Sequence, residues 1–234
     1  PEQPVQGVVV ANEVLDAMPV ECFRIADGAV EQLRIVTRHG HLKADYAQAD
    51  ATMVEQVRTI EQRRGNAFDN GYCSEFNPAI TALLASLYAV VDKGLVLLID
   101  YCYTVQEYYL DERDRGTLVC HYQHRAHAGP LWYPGLQDIT AFVDFSAVAY
   151  AAVDAGFEVS GYTSQAMFLL GCGLGDLHQA VVSDDPEQQL LLAQQIKTLT
   201  LPSEMGERFK AMALSKNIDL PLIGFAMQDY RNRL

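Results

Sequence analysis

The sequence predicts an α/β fold built around a parallel sheet, and three observations carry that prediction. Val8–Val10 leads straight into Asn12 and Glu13, and such short β-branched runs without polar alternation are typical of strands buried on both faces of a parallel sheet. A second apolar run, 95–99, ends at Asp100. An amphipathic helix precedes that run, and helix, turn and strand together make half of a βαβ unit.

The segment after the first strand predicts a β-hairpin followed by a helix. Asp27-Gly28 lies between the apolar segments 20–25 and 29–36, and Asp-Gly in that setting is a strong hairpin signal. His39-Gly40 predicts a further turn. Residues from about 50 to 64 then predict a helix that ends at Gly65.

The clearest helix begins at Asn77-Pro78, where Asn is a good N-cap and Pro fits the first helical position. Its apolar residues recur at helical spacing: Ile80, Leu83, Leu84, Leu87, Tyr88 and Val91. The pattern predicts a helix end at Lys93-Gly94, followed by the strand 95–100.

The remaining chain predicts alternating elements without repeats or a linker, so we expect one domain. Asp144 caps a helix whose predicted apolar face is Phe145, Val148, Ala149, Ala152 and Val153. The other predicted elements are a short helix within 103–114, an extended segment 116–122, a loop 124–137, a strand 157–162, a helix 164–170, a helix from Asp185-Pro186 to about 198 and a strand 208–214.

Composition excludes several function classes. A net charge of −13 argues against a nucleic-acid partner, because phosphate backbones require surplus Lys and Arg; it suits a cationic substrate or simple solubility. Five cysteines without a Cys-x-x-Cys pair predict neither a disulfide framework nor a zinc knuckle. No apolar run reaches the roughly 18 residues of a membrane span.

Two motifs suggest ligands but have simpler interpretations. The run Gly171-Cys172-Gly173-Leu174-Gly175-Asp176 would suit a nucleotide loop only after a strand, and the preceding residues predict a helix, so a helix C-terminal cap is favoured. His121, His124 and His127 are spaced by three, which splays ligands. A substrate- or loop-positioning role for His124 and Arg125 is favoured over metal binding, with solvated side chains as the simplest alternative.

Polar residues at strand ends are the better site candidates, because ligands of parallel sheets bind beyond the carboxyl ends of strands. Asn12, Glu13 and Asp16 follow the first strand, and Asp100 ends the second. Asp16 and Asp100 could instead cap turns or helices. Glu13 is a poor cap, and a carboxylate there can pair bidentately with a guanidinium.

Several longer motifs occur in one order along the chain. They are Val-Val-Ala-Asn-Glu-Val-Leu-Asp-Ala-Met-Pro-Val (9–20), Tyr-Cys-Ser-Glu-Phe-Asn-Pro (72–78), Leu-Ile-Asp-Tyr-Cys-Tyr (98–103), Glu107-Tyr108-Tyr109, Gly116-Thr117-Leu118, His124-Arg125, 134–140 and Val143-Asp144-Phe145. Together they resemble the MidA-like family of S-adenosylmethionine-dependent methyltransferases, which includes the mitochondrial complex I assembly arginine methyltransferase.

The resemblance implies a class I, Rossmann-like methyltransferase sheet with helices on both faces, S-adenosylmethionine as cofactor and a protein substrate with a target arginine. Segments 8–13, 95–100, 157–162 and 208–214 would be its strands four to seven, with an inserted hairpin and helix at about 20–70. Arginine methyltransferases of other families place a Glu just after strand four to hold the substrate guanidinium, and Glu13 is similar in position. With Asp16 from the strand end and His124 from the loop, it makes up the set of candidate catalytic residues. Asn12 and Glu13 are the candidate cofactor-binding residues, and no metal is implied.

The family usually has Gly where Cys102 stands and His where Phe142 stands, so we expect an altered tight turn at the first position and no general base at the second. Its Gly-rich cofactor loop has no counterpart here, so the chain is expected to be the carboxyl-terminal part of the enzyme and to bind the cofactor poorly alone. The resemblance implies a bacterial-type cytoplasmic or mitochondrial matrix protein, and a homo-oligomer is possible. A non-catalytic assembly module and a small-molecule methyltransferase stay open as alternatives.

Overall fold

The computed structural model describes residues 3–181 and 185–234, which form strands and helices in a mixed α/β order. The strands are β1 (Val5–Asn12), β2 (Glu21–Ala26), β3 (Ala29–Arg38), β4 (His41–Gln48), β5 (Cys73–Phe76), β6 (Val91–Tyr103), β7 (Val119–Tyr122), β8 (Arg125–His127), β9 (Asp138–Thr140), β10 (Val143–Asp144), β11 (Glu158–Ser164) and β12 (Phe209–Lys216). The helices are α1 (Ala51–Arg64), α2 (Ile80–Val90), α3 (Val105–Tyr108), α4 (Phe145–Ala155), α5 (Gln165–Gly171), α6 (Leu174–Val181) and α7 (Pro186–Thr200). Single 3-10 turns lie at Ile223–Phe225 and Arg231–Arg233.

The chain divides into two compact units. The first unit comprises Pro1–Val14, Thr81–Cys102 and Val148–Leu234. The second unit comprises Leu15–Ile80 and Tyr103–Ala147. No described helix is both long enough and apolar enough to cross a membrane.

The first unit contains a sheet in which four strands follow the order β1-β6-β12-β11. β1 and β6 are parallel, with Val8 opposite Leu95 and Asn12 opposite Ile99. β12 runs antiparallel to both β6 and β11. The four strands predicted in these segments are therefore confirmed.

β1 differs from the prediction in its burial. Val8 and Val10 are 62% and 61% exposed, so a strand buried on both faces is the wrong description. The side chains of a strand point to the two faces of its sheet, so the exposure means that the face carrying Val8 and Val10 is left uncovered in the part of the chain that the structure describes.

The transition from α2 to β6 also differs from the prediction. The helix ends at Val90 and the strand begins at Val91, three residues before the predicted end at Lys93-Gly94. Gly94 pairs with Gly7 of β1, and a Cβ at position 94 would overlap the carbonyl oxygen of Gly7. The glycine therefore permits close strand approach and does not end a helix.

The second unit contains a four-stranded antiparallel sheet in the order β4-β3-β2-β5. Both predicted turns are confirmed, and Asp27-Gly28 and His39-Gly40 have positive φ throughout, as two-residue hairpin loops favour. The predicted hairpin, β2 and β3, is thus the centre of a larger sheet, and the predicted helix α1 packs against it. The sequence prediction missed the outer strands β4 and β5. Buried side chains pack beneath the sheet: Phe23, Ile25, Val30, Ala49, Met53, Val57, Ile60, Phe68, Tyr72, Val105, Tyr108 and Tyr109.

Two predicted helix caps are confirmed, whereas α2 begins at Ile80 and not at the predicted Asn77-Pro78. Asp50 accepts a hydrogen bond from Met53 N at 2.8 Å at the start of α1, and Gly65 ends that helix in the left-handed conformation. Asp144 Oδ1 accepts from Ala147 N at 3.1 Å at the start of α4. The predicted face of α4 is buried except at Val153, which is exposed.

A second small sheet follows the order β8-β7-β9. The predicted loop 124–137 therefore contains a strand, β8, which pairs with β7 across a turn at Gln123-His124. Both turn residues have positive φ. The pattern gave no hairpin signal because neither residue is Gly, Asn or Asp.

The glycine-rich run at 171–176 connects two helices. α5 ends at Gly171, Gly173 has a φ of 87°, and α6 begins at Leu174. A helix and not a strand precedes the glycines, so the interpretation as a helix terminus is confirmed.

Candidate functional site

The carboxyl end of β1 presents an amide and a carboxylate side by side. Asn12 is the last residue of the strand, and the next backbone N–H, that of Glu13, donates to Ile99 O of β6 at 2.9 Å. Asn12 Nδ2 donates to Glu13 Oε1 at 3.2 Å. Both side chains are exposed, so the structure places these two predicted residues together at the sheet edge where ligands bind in parallel sheets.

Glu13 has an unusual backbone conformation, with φ of 50°. The left-handed region costs a non-glycine residue about 1 kcal/mol, and Asn and Asp tolerate it better than Glu. The hydrogen bond to Ile99 O fixes this conformation, and Asn12 orients the carboxylate. Glu13 adopts this conformation against its backbone preference, and such strain points to a functional role for its side chain.

Asp100, the carboxylate that ends the predicted second strand, lies within β6 and is buried. Its Oδ1 accepts from Tyr101 N at 2.9 Å. This local backbone hydrogen bond favours a structural role for Asp100, which is the alternative that the sequence analysis gave for it.

Asp16 and His124 belong to the second unit and differ in environment. Asp16 is buried, and its backbone carbonyl accepts from Ala141 N at 3.0 Å. His124 is exposed at the tip of the β7–β8 hairpin with a φ of 62°. The catalytic roles of Asp16 and His124 stay predictions.

A buried carboxylate that the sequence prediction did not single out lies on β5. Glu75 is 2% exposed, and its Oε1 accepts from Tyr108 Oη at 2.8 Å, Thr117 N at 2.8 Å and Thr117 Oγ1 at 2.7 Å. Thr117 Oγ1 also accepts from Phe142 N at 2.9 Å. Glu75 thus connects β5, α3 and the segments around 117 and 142, and no local spacing in the sequence could have indicated partners so distant along the chain.

The groups around Glu75 are neutral proton donors. Burial, and secondarily the Glu75 charge, raises the pKa of Tyr108 well above its ordinary value. Burial also raises the pKa of Tyr109 in the same direction. Cys22, opposite Glu75 on β2, has its pKa raised to about 12 by burial and by that carboxylate, so it is a protonated thiol and not a nucleophile.

The β7–β8 hairpin carries a second feature that the sequence prediction missed, a set of stacked rings. Trp132 stacks on His127 with ring centroids 4.9 Å apart, and Tyr133 stacks on Tyr122 at 4.3 Å. His127 Nδ1 accepts from Gly129 N at 3.2 Å. The ring of His127 therefore packs against its neighbours.

Across residues 3–181 and 185–234, no three His, Cys, Asp or Glu side chains are grouped so that they could hold a metal ion.

The two positions that depart from the resembled family have ordinary structural surroundings. Cys102 lies inside β6, buried, with Sγ 3.7 Å from Tyr162 Oη, and it has no positive φ, so the expected change to a tight turn is wrong. Phe142 stacks on Tyr103 with centroids 5.2 Å apart. An aromatic ring packed in this way supplies no acid or base.

Comparisons with known proteins give one consistent match. Residues 1–163 match the family described as "Putative S-adenosyl-L-methionine-dependent methyltransferase". The chain is 27% identical to the Drosophila melanogaster protein named "Protein arginine methyltransferase NDUFAF7 homolog, mitochondrial", over 94% of this chain and 51% of that protein. It is 28% identical to the Danio rerio protein arginine methyltransferase NDUFAF7, mitochondrial, over 94% of this chain and 52% of that protein.

Solved structures agree with the sequence matches. A Burkholderia thailandensis protein crystallised with S-adenosyl-homocysteine is 38% identical, with a TM-score of 0.92 over 99% of this chain and 59% of that chain. The chain therefore spans about half the length of the curated relatives and somewhat more of the solved one. Because the family match covers more than half of its residues, the chain belongs to this family of S-adenosylmethionine-dependent methyltransferases.

Proposed function

We propose that this protein transfers a methyl group from S-adenosylmethionine to an arginine of a protein substrate. Family membership supports the methyl transfer, and the names of the two curated relatives support arginine as acceptor. The S-adenosyl-homocysteine in the Burkholderia thailandensis structure supports the choice of cofactor. The names of the two curated relatives support a mitochondrial location, whereas the more similar Burkholderia thailandensis protein supports a bacterial-type cytoplasm. The resemblance alone suggests a substrate from respiratory-complex assembly.

The strand order supports a class I methyltransferase sheet. In the order β1-β6-β12-β11 the first pair is parallel and β12 is inserted antiparallel, which fits strands four, five, seven and six of that fold. We propose that residues 1–234 belong to one methyltransferase domain with an insertion at about 20–70.

The residues at the carboxyl end of β1 fit the cationic part of the cofactor. S-adenosylmethionine supplies a methyl group activated by a positively charged sulfonium. Asn12 offers an amide oxygen and Glu13 a carboxylate, and both are exposed. A sulfonium has no hydrogen-bond donor, so these oxygens would attract it by charge, and the carboxyl end of a strand is where such ligands bind.

Glu13 carries the proposal that the acceptor is arginine. Its two carboxylate oxygens can bind a guanidinium bidentately and fix the plane of its nitrogens. Asn12 Nδ2 and the Ile99 carbonyl hold Glu13 before a substrate arrives, so little reorganisation is needed in the transition state. The single observation behind this role is a Glu in left-handed backbone conformation with an exposed carboxylate at the end of a parallel strand.

Replacing Glu13 by Gln in the intact protein tests this role. We expect arginine methylation to fall about 100-fold, because a neutral amide cannot accept two charge-assisted bonds from a guanidinium. Glu55→Gln, on the exposed face of α1, makes the same charge change elsewhere and should leave the rate unchanged. Undiminished methylation by Glu13→Gln would remove Glu13 from the mechanism. The same assay on Asp16→Asn and His124→Gln tests the other two predicted catalytic residues.

Isothermal titration with S-adenosylmethionine separates the enzyme from a non-catalytic assembly module. Binding by the intact protein is the expected result. Absence of binding by folded protein would reject the methyltransferase proposal itself. Binding without methylation of any arginine peptide would instead favour a small-molecule acceptor.

A further inference from the structure

The second unit carries a two-stranded ribbon, formed by β3 and β4, whose charge is opposite to that of the whole chain. Residues 32–44 contain three permanent cations, Arg34, Arg38 and Lys43, and neither Asp nor Glu. The chain as a whole has a net charge of −13. None of the residues 34–44 is buried, so an acidic protein displays a locally cationic ribbon to solvent.

The register of the ribbon separates its cations from its apolar side chains. Directly paired residues of antiparallel strands share a face, and successive residues of a strand alternate between faces. One face carries the pairs Arg34 with Asp45, Val36 with Lys43 and Arg38 with His41. The other face carries the pairs Leu33 with Tyr46, Ile35 with Ala44 and Thr37 with Leu42.

Within the described residues, two of the three cations have no carboxylate partner. Arg38 Nη2 donates to Asp45 Oδ2 at 2.5 Å. Arg34 Nε donates to the neutral Gln32 Oε1 at 3.1 Å, and Lys43 forms no ion pair with any residue that the structure describes. The cationic face therefore has positive charge available for an acidic partner.

The strand β4 also leaves one backbone edge unpaired. It is the outer strand in the order β4-β3-β2-β5 and, among the described residues, pairs only with β3. Every second residue of such a strand directs its N–H and C=O away from the sheet. A lysine on an edge can serve to prevent pairing, but Ile35 and Leu42, neighbours on the apolar face, are 50% and 44% exposed. Exposed apolar side chains promote edge pairing.

An added strand is the occupant that contacts both faces of the ribbon at once. Because its own side chains alternate between faces, acidic residues lie on the side of Lys43 while apolar residues lie on the side of Leu42. A membrane surface is flat and covers one face of the ribbon only. A second copy of the chain would set one cationic ribbon beside another, and like charges on adjacent strands are destabilising.

We propose that β4 is a docking edge for a protein partner, which adds to the sheet an extended segment of alternating apolar and acidic residues. The backbone edge supplies main-chain hydrogen bonds to the segment. Lys43 and Arg34 attract its carboxylates, and the face of Ile35 and Leu42 receives its apolar side chains. The proposal does not rest on the methyltransferase activity.

Hydrogen–deuterium exchange of the intact protein tests the docking edge, with a synthetic peptide of alternating glutamate and valine as the probe. We expect the peptide to slow exchange of the amides of β4, because its backbone accepts hydrogen bonds from their outward N–H groups. A peptide of the same composition, with glutamates and valines in separate blocks, should leave β4 unprotected. No protection by the alternating peptide, or equal protection by both peptides, would overturn the proposal.

Side-chain variants test the two faces, with fluorescence polarisation of the labelled alternating peptide as the measurement. Lys43→Glu should raise the dissociation constant about tenfold, whereas Lys197→Glu, at an exposed lysine of α7, should not change it. Leu42→Gln should raise it about fivefold, whereas Leu220→Gln, at another exposed leucine, should not. Circular dichroism checks that each variant is folded. Unchanged binding by both ribbon variants, or equal weakening by the controls, would contradict the assignment.

The same exchange measurement separates the other occupants of β4. Protection of β4 by vesicles containing phosphatidylserine, without protection by the peptide, would identify a membrane surface instead. Protection that rises with protein concentration in the absence of peptide would identify a second copy of the chain. Either result would replace the proposed partner.

Discussion

Thr117→Val removes one hydroxyl from the Glu75 network without changing the shape of the side chain. In the native protein that hydroxyl donates to Glu75 Oε1 at 2.7 Å and accepts from Phe142 N at 2.9 Å. Thr117 and Glu75 are both buried, so water does not readily replace either bond. The substitution therefore isolates the contribution of the network from the contribution of packing.

The magnitude follows from the two bonds. A lost hydrogen bond to a buried carboxylate costs about 2 kcal/mol, and an unsatisfied Phe142 N–H costs about 1 kcal/mol. The added methyl recovers about 0.8 kcal/mol through apolar burial. The free energy of unfolding should therefore fall by about 2 kcal/mol.

Urea unfolding followed by tryptophan fluorescence measures this change. Trp132 is the only tryptophan of the chain and lies in the same unit as Thr117, so its signal reports on that unit. Thr117→Ser keeps the hydroxyl and removes a methyl, which should cost about 1 kcal/mol. A valine variant at least as stable as the serine variant would refute the reasoning.

Two further predictions concern backbone and charge. Burial raises the pKa of Asp144 from 3.8 to about 6 in the folded protein, so the native state holds this proton more tightly and loses stability as pH rises from about 4 to about 6. Asp144→Asn, which keeps the cap on Ala147 N, should raise the free energy of unfolding by about 3 kcal/mol at pH 8 and leave it nearly unchanged at pH 4; an equal effect at both pH values would contradict this. Gly94→Ala should cost about 3 kcal/mol through collision with Gly7, whereas Gly175→Ala, in open space on α6, should gain about 0.5 kcal/mol; both lie in the first unit, so urea unfolding followed by circular dichroism measures them.

The features that could be predicted from sequence are those with local causes. Asp27-Gly28 and His39-Gly40 adopt the left-handed conformations that two-residue hairpins need, and Asp50 and Gly65 supply a helix start and end within three residues of themselves. Each of these signals depends only on neighbours along the chain. Such signals predict most helix starts and hairpin turns here correctly.

The features that could not be predicted have distant causes. The role of Glu75 depends on its hydrogen bonds with Tyr108 and Thr117, which are 33 and 42 residues away along the chain. Gly94 resembled a helix terminator because its true partner, Gly7, lies in another strand. The hairpin at Gln123-His124 was missed since positive φ at those two residues is enforced by pairing of β7 with β8 and not by residue type.

Glu13 combines both kinds of cause. Its place after a run of valines was visible in the sequence, but its conformation depends on a hydrogen bond to Ile99, 86 residues further on. A glycine or asparagine would occupy that conformation at lower cost. A residue with a carboxylate and no backbone advantage stands where a ligand-facing strand ends, and this favours a role for the side chain over a role in the turn. The valines before it show the limit of the pattern, because their exposure depends on which elements cover the faces of β1.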